Sequence, residues 1–282
     1  MKRTLAIILS ILLLLAFAAC GKTAPANTEP EDTTAEIEAI ITTTQPEDIS
    51  SAEEETSAIE ETADESAAAQ IPETKEEIVA YFNEVVNRVK VEKPGFTWTI
   101  QNIVKNIASS SSFIDRAAGM AMRFVPLDVQ PGTPAAKGAD HNADFNVRGQ
   151  AWSSRLTPQA VSKASLTDKG KTWELRVDLK PEKRDSLAVN SSDHDHGKVF
   201  SVFTYSSIHD AVDPYSWLAT MNFFKPSYHS SWAKLTIDKQ TDRLLRAEYM
   251  LTMDAAIGAK FAIFPAFDAT CTVSEHNIYT FN

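Results

Sequence analysis

A strict two-residue alternation in the second half of the chain constrains its fold more than any other feature. In TWELRVDLK, residues 172–180, apolar side chains alternate with charged ones. Successive side chains of a β-strand point to opposite faces, so this segment predicts a strand with one buried and one solvated face. The preceding AVSKASLT is joined to it by the turn sequence DKGK, and the two segments together predict a β-hairpin.

Further segments of the same half favour strands. SWAKLTID and RLLRAEYMLTM flank the polar residues 239–242 and predict a second hairpin, while AKFAIF and FDATCTVSE predict a third. KVFSVFTY, residues 198–205, predicts a buried strand. The alternation in FDATCTVSE places Cys271 on the apolar face, where a free cysteine behaves as a small hydrophobic residue.

Helical periodicity is strongest at the start of this region. Thr74 and Glu77 have the spacing of a capping box, and apolar residues recur at helical spacing over residues 78–89. A second helix is predicted over Ser112–Phe124. The expected fold class for residues 74–282 is therefore α+β, with two N-terminal helices packed on a largely antiparallel β-sheet of about six to eight strands.

The chain begins with the features of an export signal. Two basic residues precede a 15-residue run, residues 5–19, which is apolar apart from one serine and too short to span a bilayer comfortably. The run leads into AFAAC, which resembles the lipobox of bacterial lipoprotein precursors. The resemblance implies removal of a signal peptide formed by residues 1–19, a diacylglyceryl group on the thiol of Cys20, and often acylation of the new amino terminus by a fatty acid such as palmitate. Two or more acyl chains hold a protein stably on a bilayer, so the protein is expected on the extracytoplasmic face of the cell membrane.

Residues 21–73 differ in composition from everything after them. They contain fifteen acidic residues, one basic residue and no aromatic residue. Such a segment cannot bury enough apolar surface to offset the entropy of ordering, so residues 20–73 are predicted to be a lipidated cysteine followed by a disordered tether. Its root-mean-square span would be roughly 40 Å. The spacer resembles those of Gram-positive lipoproteins that are displayed on the outer face of the membrane, and weak divalent-cation binding is an alternative role for it.

The acidic net charge of the chain, −11, belongs to this spacer. Residues 74–282 carry 24 basic and 23 acidic residues and are nearly neutral. No basic patch indicates a nucleic-acid partner. The segments TKEEIVAYFNEVVNRVK and WAKLTIDKQTDRLLRAEY, and the layout around them, are similar to those of small uncharacterised surface lipoproteins of Gram-positive bacteria.

The stretch SSDHDHGK, residues 191–198, is the strongest candidate for a metal site. Imidazole and carboxylate groups both suit zinc, so the candidate ligands are His194, His196, Asp193 and Asp195. The alternative is a polar turn that ends at a glycine. His209 with its neighbouring aspartates could complete a site, and no H-E-x-x-H sequence is present.

Aromatic residues are concentrated between positions 215 and 232. Tyr215, Trp217, Tyr228 and Trp232 are candidate ligand-binding residues, because exposed aromatic faces stack on sugar rings or line apolar cavities. The alternative is an ordinary core, since large aromatic side chains are mostly buried.

Several motifs of catalysis and cofactor binding are missing from the sequence, including G-x-S-x-G, the Walker loop, G-x-G-x-x-G and C-x-x-C. The expected function is a non-enzymatic binding or interaction domain, displayed by a lipid anchor, with an unknown extracytoplasmic ligand and no cofactor. The alternatives are an envelope carrier of lipid or another apolar ligand and a metal-dependent hydrolase centred on His194 and His196. A lipidated Cys20 and a buried Cys271 also predict that no disulfide joins the two cysteines.

Overall fold

An antiparallel β-sheet of nine strands dominates the part of the chain that a computed structural model describes, which is residues 71–110, 132–213, 216–217, 219–261 and 266–282. In chain order its helices and strands are α1 (Lys75–Glu92), β1 (Phe96–Ser109), β2 (Thr133–Ala135), β3 (Val161–Asp168), β4 (Thr172–Leu179), β5 (Glu182–Lys183), α2 (Tyr205–Val212), β6 (Ala219–Tyr228), β7 (Trp232–Asp238), β8 (Leu244–Phe261) and β9 (Phe267–Phe281). Short 3₁₀ helices lie at Pro158–Ala160, Ser191–Asp193 and His196–Lys198.

The long strand β8 organises the sheet. This 18-residue strand pairs with β9 along one edge, from Arg246 to Ala259, and along the other edge it pairs first with β7 and then with β6. The strand order is β2-β1-β9-β8-β7-β4-β3, while β6 pairs with β8 and β5 pairs with β6. Each of these neighbouring pairs is antiparallel.

The two faces of the sheet differ in chemistry because side chains alternate along each strand. Leu235 and Tyr249 are fully buried on the inner face. Arg176, Lys234 and Glu248 lie on the outer face, where the register places them side by side across β4, β7 and β8. The prediction of a sheet with one buried and one solvated face is confirmed.

Helix α1 covers part of the inner face. Its N-terminus is held by the predicted capping box, in which the Thr74 hydroxyl accepts from the Glu77 amide and the Glu77 carboxylate accepts from the Thr74 amide. Its buried positions recur at helical spacing and are Ile78, Val79, Phe82, Val85, Val86, Val89 and Lys90. This stripe packs against β3 and β4, and so places α1 toward one end of the sheet.

Polar side chains of α1 also fix the loop that follows residue 146. Asn83 donates to the carbonyl of Leu156 at 2.8 Å and accepts from its amide at 3.1 Å. The buried ammonium of Lys90 donates to the carbonyls of Val147 and Gln150 at 2.7 and 2.6 Å. These bonds satisfy buried backbone carbonyls that no strand pairs, and burial lowers the pKa of Lys90 to about 8.

The expected α+β arrangement of two N-terminal helices on a sheet is wrong. The described residues contain nine strands, one 18-residue helix and one 8-residue helix, which is closer to an all-β architecture. The long strand β1 was not predicted from the sequence. Buried Asn102 interrupts its apolar face, and a register shift between Lys105 and Ala108 breaks its alternation. The helix predicted over Ser112–Phe124 lies outside the described residues.

The predicted hairpins have different outcomes. The β3–β4 and β7–β8 hairpins are confirmed by their registers. RLLRAEYMLTM and the beginning of AKFAIF belong to one continuous strand, β8, which pairs with β9. The strand predicted over residues 198–205 is wrong: this buried segment leaves a 3₁₀ helix and enters α2, and its amides at Val199 and Phe200 donate to the carbonyl of His196.

The proposed signal peptide, residues 1–19, and almost all of the tether, residues 20–73, lie outside the described part of the chain, so both stay predictions. Within the described residues, neither helix combines the length and apolar character needed to cross a membrane. The described structure therefore concerns the domain that the tether would carry.

Candidate functional site

The predicted histidine loop folds as two short 3₁₀ helices packed against each other. His194 and His196 are both buried, at 4 % and 0 % exposure. A Cβ atom on Gly197 would lie 1.6 Å from the carbonyl oxygen of Ser191, so the close approach of the two turns requires a glycine. The loop is therefore part of the packed interior rather than a solvated turn.

Glu182 on β5 holds His196 in place. Its Oε2 accepts from the ring Nδ1 and from the backbone amide of His196, each at 3.0 Å, while its Oε1 pairs with Arg184 at 2.6 Å. Burial alone would raise the pKa of Glu182, but the hydrogen bonds from His196, Arg184 and the amide of Asp195 outweigh burial and lower this pKa to about 2.

Tyr228 on β6 contacts both histidines. Its ring stacks on His196 with centroids 4.8 Å apart and meets the ring of His194 edge-on at 5.7 Å. Burial raises the pKa of Tyr228 and lowers the pKa of His194. Among the described residues, the Tyr228 hydroxyl, His194 Nδ1 and His196 Nε2 are buried and have no hydrogen-bond partner.

The two predicted carboxylate ligands have structural roles of their own. Asp193 accepts from the amide of Asn190 at 2.9 Å and so caps its own 3₁₀ helix. Asp195 pairs with Lys198 at 2.7 Å. In the described ranges, no group of three or more histidine, cysteine, aspartate or glutamate side chains is arranged to hold a metal ion.

The four predicted ligand-binding aromatic residues do not form one surface. Tyr228 is fully buried, and Trp232 lies on the outer face of the sheet. Trp217 is 76 % exposed. Tyr215 lies outside the described residues.

Trp232 belongs to a cluster of interlocked charges on the outer face. The guanidinium of Arg176 lies 4.5 Å from its ring centroid, and the ring of His276 meets it at 5.8 Å. Glu248 pairs with Lys234 at 2.9 Å, and it also lies within pairing distance of His276. Arg176 in turn pairs with Asp178 at 2.7 Å, so the Arg176 and Lys234 cations of this cluster each have a carboxylate partner.

Helix α2 presents a row of exposed side chains that the sequence analysis identified only in part. Tyr205, His209 and Asp213 follow one another at four-residue intervals, which places them on one side of the helix, and Trp217 lies four residues beyond Asp213 in the chain. Tyr205 is 57 % exposed. Its ring stacks on that of His209 at 5.4 Å, and His209 Nδ1 lies 2.7 Å from the Asp213 carboxylate. We call these four residues the α2 row.

Buried and capping contacts of α2 explain how the α2 row is held. Ile208 is buried at 2 % exposure and anchors the helix to the core. Thr204 begins the helix, since its hydroxyl accepts from the amide of Ser207 and the Ser207 hydroxyl accepts from the amide of Thr204. The amide of Tyr205 donates to the carbonyl of Ala188, which places the exposed Val189 near the start of the row.

A cleft of about 280 Å³ opens at the end of α1, beside the turn between β7 and β8. Val85 and Phe281 contribute apolar surface to its lining, and Glu92 contributes a carboxylate. Arg88, also in the lining, is paired with Asp242 across the cleft at 2.7 Å. The cleft is therefore amphipathic, and the guanidinium of Arg88 in its lining is already paired with a carboxylate.

Cys271 occupies the inner face of β9, opposite Ala255, as its alternation predicted. Burial raises the pKa of its thiol to about 11. Cys20 lies outside the described residues, so the absence of a disulfide between them stays a prediction.

Comparison with known proteins gives no relative to this chain: no family model, no curated protein and no solved structure matches it. Function must therefore be inferred from side-chain chemistry. Glu182, which sequence reasoning missed, lies on a two-residue strand with no motif around it. The α2 row could have been found from its four-residue spacing, had residues 205–212 been predicted as a helix.

Proposed function

We propose that this protein is a lipoprotein held on the extracytoplasmic face of the cell membrane through Cys20, and that it displays a non-enzymatic domain that binds an extracytoplasmic partner through the α2 row. The lipobox-like AFAAC and the acidic spacer support the anchored display. The α2 row supports the binding role.

The exposure of Trp217 is the observation that carries the binding proposal. This indole is 76 % exposed, and Tyr205 on the same row is 57 % exposed. Other large aromatic side chains, such as Phe82, Phe145 and Tyr249, are fully buried in the core. Tryptophan and tyrosine are enriched where proteins bind partners, because they combine a large contact area with a polar group and lose little conformational entropy.

The buried histidine loop supports a structural role rather than catalysis. Glu182 and His196 form the carboxylate–imidazole pair that an active site could use, but the ring of His196 is enclosed by Tyr228 and Phe200. The carboxylate of Glu182 is engaged by amides and by Arg184. A general base needs access to the proton that it removes, and this pair is directed into the packed interior.

The cleft beside α1 gives the carrier alternative no support. A carrier of acyl chains needs a largely apolar cavity, typically of about 300–1,000 Å³. The lining of this cleft includes Arg88, Glu92, Asp238, Asp242 and Arg243. These groups would be costly to desolvate under an acyl chain.

The binding proposal can be tested with envelopes from a Gram-positive host that lacks the protein. Full-length lipoprotein, solubilised in detergent, is incubated with these envelopes as wild type and as Trp217→Ala. We expect Trp217→Ala to bind about tenfold more weakly or worse, as is common when an aromatic anchor is truncated. Val91→Ala is the matched control, because Val91 is 78 % exposed on α1 and far along the chain from α2. Equal retention of all three proteins would contradict the binding role of the α2 row.

A further inference from the structure

We infer that the α2 row binds a polysaccharide of low negative charge, such as the glycan strands of the cell wall; this inference rests on the proposed function and names the ligand class of the same surface. Tyr205 and Trp217 would contact the apolar faces of sugar rings. His209 and Asp213 would exchange hydrogen bonds with sugar hydroxyl groups.

The row has the dimensions of an extended ligand. Helical rise separates Tyr205 from Asp213 by about 12 Å along the helix axis. The amide of Ser216 donates to the carbonyl of Asp213, and Trp217 is the next residue in the chain. Two aromatic side chains separated by polar groups suit a chain of linked rings better than a single small molecule.

The polar part of the row is arranged for hydroxyl groups. His209 and Asp213 are paired at 2.7 Å and are each about half exposed. Because His209 Nδ1 is engaged by the Asp213 carboxylate, the remaining lone pairs of the carboxylate and His209 Nε2 are left to hydrogen-bond sugar hydroxyl groups, which both donate and accept. Side chains already paired in this way lose less freedom on binding than free ones do.

The charge of the α2 surface favours a glycan over the anionic lipids and anionic polymers of a cell envelope. Residues 199–224 contain no lysine or arginine, and Asp210 and Asp213 make the exposed side of α2 acidic. Anionic lipids attract basic segments, so an acidic helix is poorly suited to a lipid headgroup surface. The same repulsion disfavours anionic wall polymers and leaves uncharged or weakly charged polysaccharide as the matching partner.

The test uses wall sacculi from which lipid, protein and anionic polymers have been removed, with chitin tetramer as a soluble competitor. Detergent-solubilised full-length lipoprotein is compared as wild type, Tyr205→Ala, Trp217→Ala and the control Val91→Ala. We expect both aromatic variants to lose at least about tenfold in affinity, the control to bind like wild type, and the tetramer to compete. Because both aromatic side chains are largely exposed, the thermal midpoint of each variant should stay within a few degrees of the wild type.

Three results would overturn the inference in different ways. Retention on whole envelopes that depends on Trp217, without retention on bare sacculi, would exclude the glycan and leave the proposed binding function intact. Retention on sacculi that the aromatic substitutions do not change would exclude the α2 row as the glycan site. Loss of binding to whole envelopes and sacculi alike in the wild type would overturn the proposed function itself.

Discussion

Glu182 Oε2 lies 3.0 Å from the ring Nδ1 of His196 and 3.0 Å from the backbone nitrogen of the same residue. One carboxylate oxygen thus orients the imidazole and closes the turn that carries it. Because Glu182 lies on β5 at the edge of β6, this relationship joins the histidine loop to the sheet.

The Glu182 contact predicts a specific dependence of stability on pH. The pKa of Glu182 is about 2 in the folded protein, against an ordinary value of 4.5. Its stabilisation is therefore complete above about pH 4.5 and is lost as the pH falls toward 2, because the unfolded state takes up the proton first. We expect Glu182→Gln to lower the free energy of unfolding by about 2 kcal/mol at pH 7 and by much less at pH 2.5.

Denaturant unfolding of the wild type and variant at both pH values measures this difference. Glu174→Gln is the control, since Glu174 pairs only distantly with Lys169, at 3.6 Å on the surface. A loss of stability in Glu182→Gln that is equally large at both pH values would contradict the assigned role of the carboxylate.

Gly197→Ala should destabilise the domain without changing any charge. The added methyl group would meet the Ser191 carbonyl at 1.6 Å, so the two 3₁₀ helices would have to separate. We expect a loss of about 2–4 kcal/mol, in the upper part of the range for single substitutions. Gly95→Ala is the matched control because its nearest neighbour would lie at 3.4 Å, and similar effects of the two substitutions would contradict the packing described for the histidine loop.

The buried pair of Arg148 and Glu275 should show strong coupling. Their charged groups lie 2.6 Å apart, and the side chains are only 7 % and 11 % exposed. Removing one partner leaves a buried charge, so Arg148→Met and Glu275→Gln should each cost about 3–5 kcal/mol, while the double variant should cost clearly less than their sum. A double-mutant cycle by chemical denaturation measures the coupling, and additive losses would show that the pair does not act as a unit.

Cys271 should react slowly with alkylating reagents while the domain is folded. Its thiol pKa is raised to about 11, so the thiolate fraction at pH 8 is about a hundredth of that of an ordinary cysteine. Iodoacetamide labelling followed by mass spectrometry should show at least that slowing, relieved by denaturant. Protein isolated from cells should then show one reactive thiol, and two would contradict modification of Cys20.

The regular parts of the sheet could be predicted from the sequence because each strand there alternates without interruption. In β4, and in β7 from Ala233 onward, polar and apolar side chains alternate at every residue, and the register confirms the pairing. The irregular parts could not be predicted, because tertiary contacts outweigh the local alternation of polar and apolar residues. In β1, buried Asn102 lies on the inner face and a bulge follows Lys105.

The candidate sites, too, could be predicted only in part from the sequence. The histidines could be identified from composition, but their partner could not, because Glu182 lies in a short strand whose pairing depends on β6. The segment 198–205 has a strand-like apolar run, yet its apolar side chains are buried in the core in a segment that links a 3₁₀ helix to α2. Residue type alone does not predict exposure among the aromatic residues either, because Trp217 is exposed whereas Tyr228 is buried.

The proposed display of the domain requires that the protein is anchored in the membrane by a lipid group on the thiol of Cys20. The most direct measurement is mass spectrometry of the amino-terminal peptide from protein purified out of cell membranes. The predicted result is a mature chain that begins at Cys20 with a thioether-linked diacylglyceryl group, and a Cys20→Ala protein that leaves the membrane fraction or stays unprocessed. A mature chain beginning at another residue, or an unmodified thiol at Cys20, would contradict it.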